Sequence, residues 1–414
     1  MTTSSESTRI LVVTKNTSLK TIIDDCIFNQ NEFDPLNSTS IKEDMLVSIA
    51  QLSPDLILLD YEYQPNIFEL VDKIATEYPE CGVIVILPER EMINSERVIL
   101  SGARAFILTP FKKDNLLKTI KRVIELMTRR HADSSGMTSS NLLERPKNTY
   151  TVFSPKGGAG TTTVAVNLAI SLQKELQEDV LLIDGKHLFG HVALCLNLRT
   201  ANSMTDLISH LGVLDQRMVK QVAVKHISGI SVLPSPTSIS EGQGIRPEDV
   251  FKMLEILQGI YPNIIIDAGS HLTENTVTYL DLSDKIILVL NPDLASLRDV
   301  RLFEEVTRSL SYPDDKTLLV LNLTGRKADV KREEIEKILK MKIFGKIPAD
   351  ENVALGCLNE GVPIVLKYPR HQISAAFSTI AKSLVKLIQS AKLSYTEASK
   401  KSNSDLLSSS SKLG

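Results

Sequence analysis

Residues 149–163 read TYTVFSPKGGAGTTT, and this stretch decides the fold of the second half of the chain. The run TYTVFS (149–154) predicts a buried strand, and TTVAVNLAISLQKELQ (162–177) predicts a helix. Glycines between a strand and a helix let backbone N–H groups close around phosphate oxygens, and the start of the helix adds positive potential. The stretch therefore predicts a phosphate-binding loop in an α/β domain.

The loop and the first helical turn supply the predicted nucleotide-binding residues, which are Lys156, Gly157, Gly158, Ala159, Gly160, Thr161, Thr162 and Thr163. Thr162 offers a hydroxyl to Mg²⁺. Asp267, in the apolar strand IIIDA (264–268), is placed where the second Mg²⁺ ligand of such a site belongs. ATP and Mg²⁺ are thus the indicated cofactors. A working loop of this kind ends Gly-Lys-Thr, however, and its lysine position here holds Thr161.

Apolar runs alternate with helical patterns along the whole chain. The further predicted strands are RILVV (9–13), DLILLD (55–60), GVIVIL (82–87), AFIL (105–108), VLLID (180–184), KIILVL (285–290) and TLLVLN (317–322). This alternation predicts α/β architecture with two doubly wound domains. The predicted organisation is a polar tail (1–8), a first domain (9–128), a Ser-rich linker (129–148), a second domain (149–392) and a Ser/Lys-rich tail (393–414).

The composition is that of an ordinary globular protein, with 414 residues, 43% apolar and 23% charged. The net charge of −3 gives no support to nucleic-acid binding. The four cysteines, Cys26, Cys81, Cys195 and Cys357, lie far apart, which is typical of reduced thiols. Because neither a signal peptide nor a membrane span is indicated, a cytoplasmic location is expected.

Two further patterns have more than one interpretation. FSTIAKSLVKLIQSAK (377–392) sets apolar residues opposite three lysines, so it could lie on a membrane surface as a peripheral contact or pack on the sheet. We favour packing on the sheet, since such stripes usually face a core. His187 and His191 have the spacing of a metal pair on a helix. The glycines beside them and the lack of a third ligand nearby argue against that function.

The motif KGGAG-x-TT followed by VAVNLA resembles the deviant Walker A motif of the ParA/MinD ATPases. In that family a signature lysine, here Lys156, reaches across a dimer to the partner's nucleotide. Three longer blocks resemble the CpaE/TadZ branch, namely VLLIDGKHLFGHVALCLNL (180–198), YPNIIIDAGSHLTENTVTYLDLSDKIILVLNPDLASLRDVRLF (261–303) and KIPADENVALGCLNEGVPIVLKYPR (346–370). Proteins of that branch belong to tight-adherence (type IV-like) pilus systems.

This resemblance covers residues 9–390. It implies a flavodoxin-like, receiver-like domain followed by a ParA/MinD-like P-loop domain. It also implies a homodimer, pilus-assembly or polar machinery as partners, and a place at a cell pole or at the inner face of the membrane. Asn322 matches the family's adenine-contacting asparagine, although an asparagine at a strand end is also a common turn former.

The chain departs from the family pattern at two positions. Thr161 replaces the P-loop lysine. In the Asp-x-Asp pattern, Asp184 keeps the first position, but Lys186 replaces the aspartate that helps to position the attacking water. Loss of one charge-stabilising donor costs about 10²–10³ in rate, and loss of the water-orienting group removes more. We consider two placements for Lys186, toward the γ-phosphate or toward solvent.

Residues 9–128 resemble a receiver domain that lacks most of its switch parts. Asp60, at the end of DLILLD, stands at the phospho-acceptor position. The acids that hold Mg²⁺ in receivers are replaced at 14–16 by Thr-Lys-Asn, and Pro88 and Thr109 replace the hydroxyl and lysine that read the phosphate. We therefore expect Asp60 to be a structural acid, and the domain to mediate dimerisation or docking.

Together these features predict an ATP-binding, dimerising ParA/MinD-like scaffold or positioning protein of a pilus assembly system, with little or no hydrolysis. One alternative is a slow Mg²⁺-dependent ATPase of MinD type, and another is a phosphorelay response regulator. A DNA-binding partition factor is a third, and the net charge gives it little support.

Overall fold

The computed structural model describes residues 7–28, 30–36, 45–135, 148–325 and 330–390. These residues form two compact units. Unit 1 takes those within Met1–Ser139, His271–Asp281 and Arg301–Asp314, and unit 2 takes those within Ser140–Ser270, Leu282–Val300 and Asp315–Gly414. Most of the predicted N-terminal tail (1–6), part of the predicted linker (136–147) and the predicted C-terminal tail (393–414) lie outside the described residues.

Unit 1 is built on a five-stranded parallel sheet with the order β2-β1-β3-β4-β5, the order of flavodoxin-like sheets. Its strands are β1 (Thr8–Val13), β2 (Phe33–Leu36), β3 (Leu56–Asp60), β4 (Gly82–Pro88) and β5 (Ala105–Thr109). Its first five helices are α1 (Thr17–Ile27), α2 (Met45–Leu52), α3 (Ile67–Glu77), α4 (Ser95–Leu100) and α5 (Lys113–Ser135). Successive residues of β1 enter hydrophobic clusters on opposite faces, so the strand reads as an unbroken apolar run.

Unit 2 is built on an eight-stranded sheet with the order β13-β12-β11-β6-β10-β7-β9-β8, in which only the β8–β9 pair is antiparallel. Its strands are β6 (Asn148–Phe153), β7 (Val180–Asp184), β8 (Val224–Lys225), β9 (Ser231–Leu233), β10 (Asn263–Asp267), β11 (Lys285–Leu290), β12 (Thr317–Thr324) and β13 (Ile343–Pro348).

The helices that follow in the chain are α6 (Thr161–Leu176), α7 (Val192–Cys195), α8 (Met204–Ile208), α9 (Gln216–Val222), α10 (Ile239–Gln243), α11 (Pro247–Ile260), α12 (Glu274–Leu282), α13 (Leu294–Ser309), α14 (Arg332–Leu339), α15 (Glu351–Glu360) and α16 (Ile364–Lys367). A last helix, α17, covers 372–390 of the described chain.

The centre of the second sheet sets the position of the candidate site. Strand β6 lies between β11 and β10, and β10 also pairs with β7 in a register that places Asp267 beside Asp184. The carboxyl ends of these parallel strands meet at one edge, where ligands of open α/β sheets bind. The glycine-rich loop leaves β6 at this edge.

Helix α17 resolves one question that the sequence left open. Phe377, Ile380, Leu384 and Ile388 are all buried in the main hydrophobic cluster of unit 2. The apolar stripe therefore packs in the core, as favoured above, and is not available to a membrane surface. Among the described residues, none of the helices has both the length and the apolar character needed to cross a bilayer.

Two segments distant in sequence from residues 1–139 belong to unit 1 and make buried polar contacts there. Phe106 N donates to Glu274 Oε1 at 2.9 Å, and Arg104 Nη1 donates to Leu310 O at 2.6 Å. Arg122 Nη2 lies 3.6 Å from Glu274 Oε1, and both side chains are largely buried. Charged groups of this kind stay in a protein interior only when they are paired or hydrogen-bonded.

The predicted elements and the observed ones differ mainly at edges and ends. Helix α5 extends to Ser135, beyond the predicted start of the linker at 129. The stretch RRHADSS (129–135) contains neither glycine nor proline, and the first glycine after it is Gly136, so nothing in the sequence breaks the helix earlier. Strands β2, β8, β9 and β13 have no counterpart in the sequence prediction.

Candidate functional site

The glycine-rich loop runs from the end of β6 to the first turn of α6. Gly158 and Gly160 have φ values of 76° and 90°, in the left-handed region that favours glycine. Gly160 is the N-cap residue of α6, and its carbonyl accepts the first helical hydrogen bond from Val164 N at 2.9 Å. A Cβ atom on Gly160 would lie 2.5 Å from Asn322 Nδ2, so sterics as well as backbone angle demand glycine there.

Asn322 lies on β12 and is buried against the loop. Its Nδ2 donates to Ala159 O at 2.8 Å, which fixes the carbonyl in the middle of the glycine run. In this structure the asparagine therefore braces the loop. Its contact with an adenine base stays a prediction.

Three side chains meet below the start of α6. Thr162 Oγ1 donates to Asp267 Oδ2 at 2.6 Å and accepts a hydrogen bond from Lys186 Nζ at 2.8 Å. Lys186 Nζ also lies 3.3 Å from Asp267 Oδ2, and the Asp267 side chain is fully buried. The two predicted Mg²⁺ ligands are thus adjacent, and Lys186 points at both of them. The alternative in which Lys186 points to solvent is wrong.

Asp184 lies beside this cluster at the end of β7 and is buried. Its Oδ2 accepts from Val192 N at 3.0 Å and its Oδ1 from Lys186 N at 3.4 Å. Burial, and then the neighbouring Asp267 carboxylate, raise the pKa of Asp184 well above its usual range. The carboxyl group thereby holds the segment after β7 in a fixed fold, which directs Lys186 toward Asp267.

Lys156, which directly precedes the glycines of the loop, forms an ion pair that the sequence did not predict. Its Nζ lies 2.9 and 2.8 Å from the two carboxylate oxygens of Asp293. Asp293 precedes α13 and also accepts from Ser296 N at 2.9 Å, as a helix-capping residue does. Burial raises the pKa of Asp293, but the hydrogen bonds from Lys156 and Ser296 outweigh it and hold the pKa below its ordinary value. An aspartate just before a helical segment indicates a helix cap, but nothing in the sequence pairs that aspartate with Lys156.

In unit 1, both oxygens of Asp60 have hydrogen-bond donors. Thr14 Oγ1 donates to Oδ2 at 2.6 Å, and Glu62 N donates to Oδ1 at 3.1 Å. Asp60 is buried, and it caps the short 3-10 turn Tyr61–Tyr63. These contacts agree with a structural acid, while the absence of phosphorylation stays a prediction.

His187 and His191 lie in the segment between β7 and α7. Within the described residues, no group of three histidine, cysteine or acidic side chains is arranged to hold a metal ion. Burial lowers the pKa of His187 to about 4, so the imidazole is neutral at pH 7. Gly242 packs closely on the His187 carbonyl, where an added Cβ would lie 2.0 Å from the oxygen.

We expect the free energy of unfolding to fall as the pH falls from about 6.5, the ordinary pKa of histidine, toward 4, the pKa of His187 in the fold. In that window the unfolded chain binds a proton that the folded chain does not, at a cost of up to about 3 kcal/mol. His187→Gln should reduce the difference between urea unfolding at pH 7 and at pH 4.5. The exposed His210→Gln is the control, and equal reductions in both variants would contradict the assignment.

Comparisons with known proteins place this site in context. A family model described as an AAA domain matches residues 147–317. An ATP-binding protein of Methanocaldococcus jannaschii is 30% identical over 215 residues, covering 51% of this chain and 78% of that protein. The septum site-determining protein MinD of Thermotoga maritima is 24% identical over 244 residues, covering 57% and 88%.

Solved structures show the same similarity. A ParA family ATPase from Chlorobium tepidum aligns with a TM-score of 0.55 and 25% identity, covering 57% of this chain and 98% of that one. The septum site-determining protein MinD of Pyrococcus horikoshii, solved in complex with Mg-ADP, aligns with a TM-score of 0.52 and 24% identity, covering 58% and 97%. At that identity the second alignment shows a shared fold.

Proposed function

The chain belongs to the ParA/MinD family of ATPases, and we propose that it is an ATP-binding, dimerising scaffold of a tight-adherence pilus system with little or no hydrolysis. ATP binding is supported by the glycine loop, by the Asn322 brace on Ala159 and by the similarity to an ATP-binding relative. The observation that carries the proposal is the contact of Lys186 with Thr162 and Asp267.

The proposal of weak turnover follows from charge and geometry. Thr161 is uncharged, so no lysine from the loop's usual position stabilises the transferring phosphoryl group. Lys186 stands where the family has a water-positioning aspartate, and an ammonium group cannot accept a hydrogen bond from water. Each of these losses removes transition-state stabilisation while leaving the loop able to hold phosphates.

The proposed pilus role rests on the sequence blocks that resemble the CpaE/TadZ branch. In this proposal the receiver-like residues 9–128 dock partners of the pilus-assembly or polar machinery, and the P-loop part supplies a homodimer that ATP stabilises. The protein would act in the cytoplasm, at a pole or at the inner face of the membrane. Nucleic acid is not among the proposed partners.

We expect calorimetric titration of the full chain to show ATP binding, and light scattering to show a shift from monomer to dimer with ATP. Binding to one conformational state stabilises that state by mass action, which links nucleotide to assembly. Turnover in the same samples should remain near the buffer rate. Failure to bind at millimolar ATP would overturn the proposal.

Lys156→Ala should remove the ATP-dependent dimer and leave ATP binding by the monomer intact, because the family's signature lysine acts across the dimer. Lys285→Ala is a matched control. Lys285 also pairs with an aspartate, Asp315 at 2.7 Å, but it begins β11 at the opposite end of the strand from the loop. Loss of the dimer in both variants would assign the effect to stability instead of to Lys156.

One observation favours a second function, a slow Mg²⁺-dependent ATPase. Thr162 and Asp267, the family-type metal ligands, are both present, and Thr162 Oγ1 lies 2.6 Å from Asp267 Oδ2. Phosphate release that exceeds the buffer rate, requires Mg²⁺ and disappears in Asp267→Ala would support that function in place of the non-hydrolysing scaffold.

A further inference from the structure

The position of the Lys186 ammonium group is the feature that the family pattern does not explain. Nζ lies 2.8 Å from Thr162 Oγ1 and 3.3 Å from Asp267 Oδ2. The single hydroxyl proton of Thr162 is donated to Asp267, so the hydroxyl oxygen is free to accept from the lysine. One cationic group therefore contacts both of the oxygen ligands that the sequence assigns to Mg²⁺.

The fold around Lys186 is shaped to receive its side chain. Gly185 N donates to Asp267 O at 2.9 Å, which ties the segment after β7 to the end of β10. Gly269 has a φ of 68°, and a Cβ atom there would lie 2.9 Å from Lys186 Cδ and 3.0 Å from Lys186 Cγ. A side chain at 269 would therefore occupy the path of the lysine stem. Only 20% of the Lys186 side chain is exposed.

The donor set does not fit Mg²⁺ while Lys186 is in this position. Mg²⁺ requires near-octahedral oxygen coordination at about 2.0–2.1 Å and keeps several waters. Here the Thr162 hydroxyl and the Asp267 carboxylate already contact an ammonium group, whose positive charge repels a second cation at that distance. The site has the charge pattern of a metal centre, but a covalently attached side chain supplies the cation.

We propose that the Lys186 ammonium takes the place of the divalent cation, so that this chain binds a nucleoside triphosphate without Mg²⁺. The inference rests on the ATP binding proposed above and adds the form of ATP that is bound. Lys186, which follows β7, reaches Thr162 in the first turn of α6. It thus meets the bound phosphates where the metal would, and the N-terminal end of α6 adds its positive potential.

The test is calorimetric titration of the full chain with ATP, once in excess EDTA and once in excess MgCl₂. We expect dissociation constants that agree within about threefold, since the protein supplies its own cation. Lys186→Met keeps the length of the stem and removes the charge, and we expect it to weaken binding in EDTA by about tenfold or more. Lys174→Met, an exposed position on α6 away from the loop, should bind as the unmodified chain does.

A second variant, Lys186→Asp, should make ATP binding depend on Mg²⁺. It restores the family residue, so the affinity for ATP in MgCl₂ should exceed the affinity in EDTA by about tenfold or more. Circular dichroism checks that both variants fold, and Lys186→Met alone suffices if Lys186→Asp does not fold. ATP binding by the unmodified chain that requires Mg²⁺ would overturn this inference and leave the proposed function standing. Absence of binding in both buffers would overturn the proposed function, and this inference with it.

Discussion

Asp267→Ala should lower the free energy of unfolding by about 3 kcal/mol, because it removes the buried partner of an ion pair. Asp267 is fully buried and receives hydrogen bonds from Thr162 and Gly269 in addition to the contact with Lys186. Without the carboxylate, the ammonium group keeps its desolvation cost and loses its partner. The value is at the lower end for such substitutions, since Asp267 is, after burial, the second cause that raises the pKa of Asp184, and its loss removes that repulsion.

Urea unfolding followed by circular dichroism measures this effect, which suits a chain without tryptophan. The control is the double variant Asp267→Ala/Lys186→Met, in which neither charge is present. It should recover a large part of the loss, because replacing both members of a buried pair by apolar groups is often nearly neutral. A double variant no more stable than Asp267→Ala would show that the ion pair does not set the cost.

Gly160→Ala should lower the free energy of unfolding by about 3 kcal/mol in the absence of nucleotide. A side chain in the left-handed region costs about 1–2 kcal/mol, and overpacking adds about 1–3 kcal/mol. The overpacking arises because the added Cβ would lie 2.5 Å from Asn322 Nδ2. Asn322 would have to move, and its hydrogen bond to Ala159 O would break.

The same loop provides two graded controls. Gly158 shares the left-handed backbone, with φ of 76°, but no atom lies within 4 Å of its added Cβ. Gly158→Ala should therefore show the backbone cost alone, about 1–2 kcal/mol. Gly157 has neither constraint, and its nearest neighbour is Ser270 Oγ at 3.9 Å, so Gly157→Ala should be nearly neutral. Equal losses of unfolding free energy in Gly158→Ala and Gly160→Ala would exclude the contact with Asn322 as a cause of the lower stability of Gly160→Ala.

The strands that the sequence predicted well are those buried on both faces. VLLID and KIILVL coincide with β7 and β11, because central strands of parallel sheets are uninterrupted apolar runs. Strand β2 (FDPL) and strand β13 (IFGKIP) lie at sheet edges and contain proline or glycine, so they carry no such pattern. Burial on two faces produces a continuous apolar run in the sequence. The pairing of an edge strand instead depends on the position of its single neighbouring strand, which the sequence of the edge strand does not encode.

In the candidate site, too, the sequence predicted some features and not others. The glycine spacing, Thr162 and the aspartate ending an apolar strand identified the loop and its acid, since both follow from elements adjacent in the sheet. The direction of Lys186 and the Lys156–Asp293 pair did not follow from the sequence. A lysine side chain can reach many acceptors. The acidic partner of Lys186 lies 81 positions away in the sequence and that of Lys156 lies 137 positions away, and the order of the strands brings each pair together.

The ion pair between Lys156 and Asp293 breaks and re-forms rapidly. Both side chains keep substantial contact with water, with 31% and 43% exposed, so the pair is worth no more than about 1 kcal/mol. Side chains this exposed change rotamer within picoseconds to nanoseconds. Two protomers of the proposed homodimer, at micromolar concentration, would associate productively about once in 0.1–10 s. Lys156 therefore leaves and regains Asp293 many times in that interval, so this contact would place no kinetic barrier before the proposed dimer.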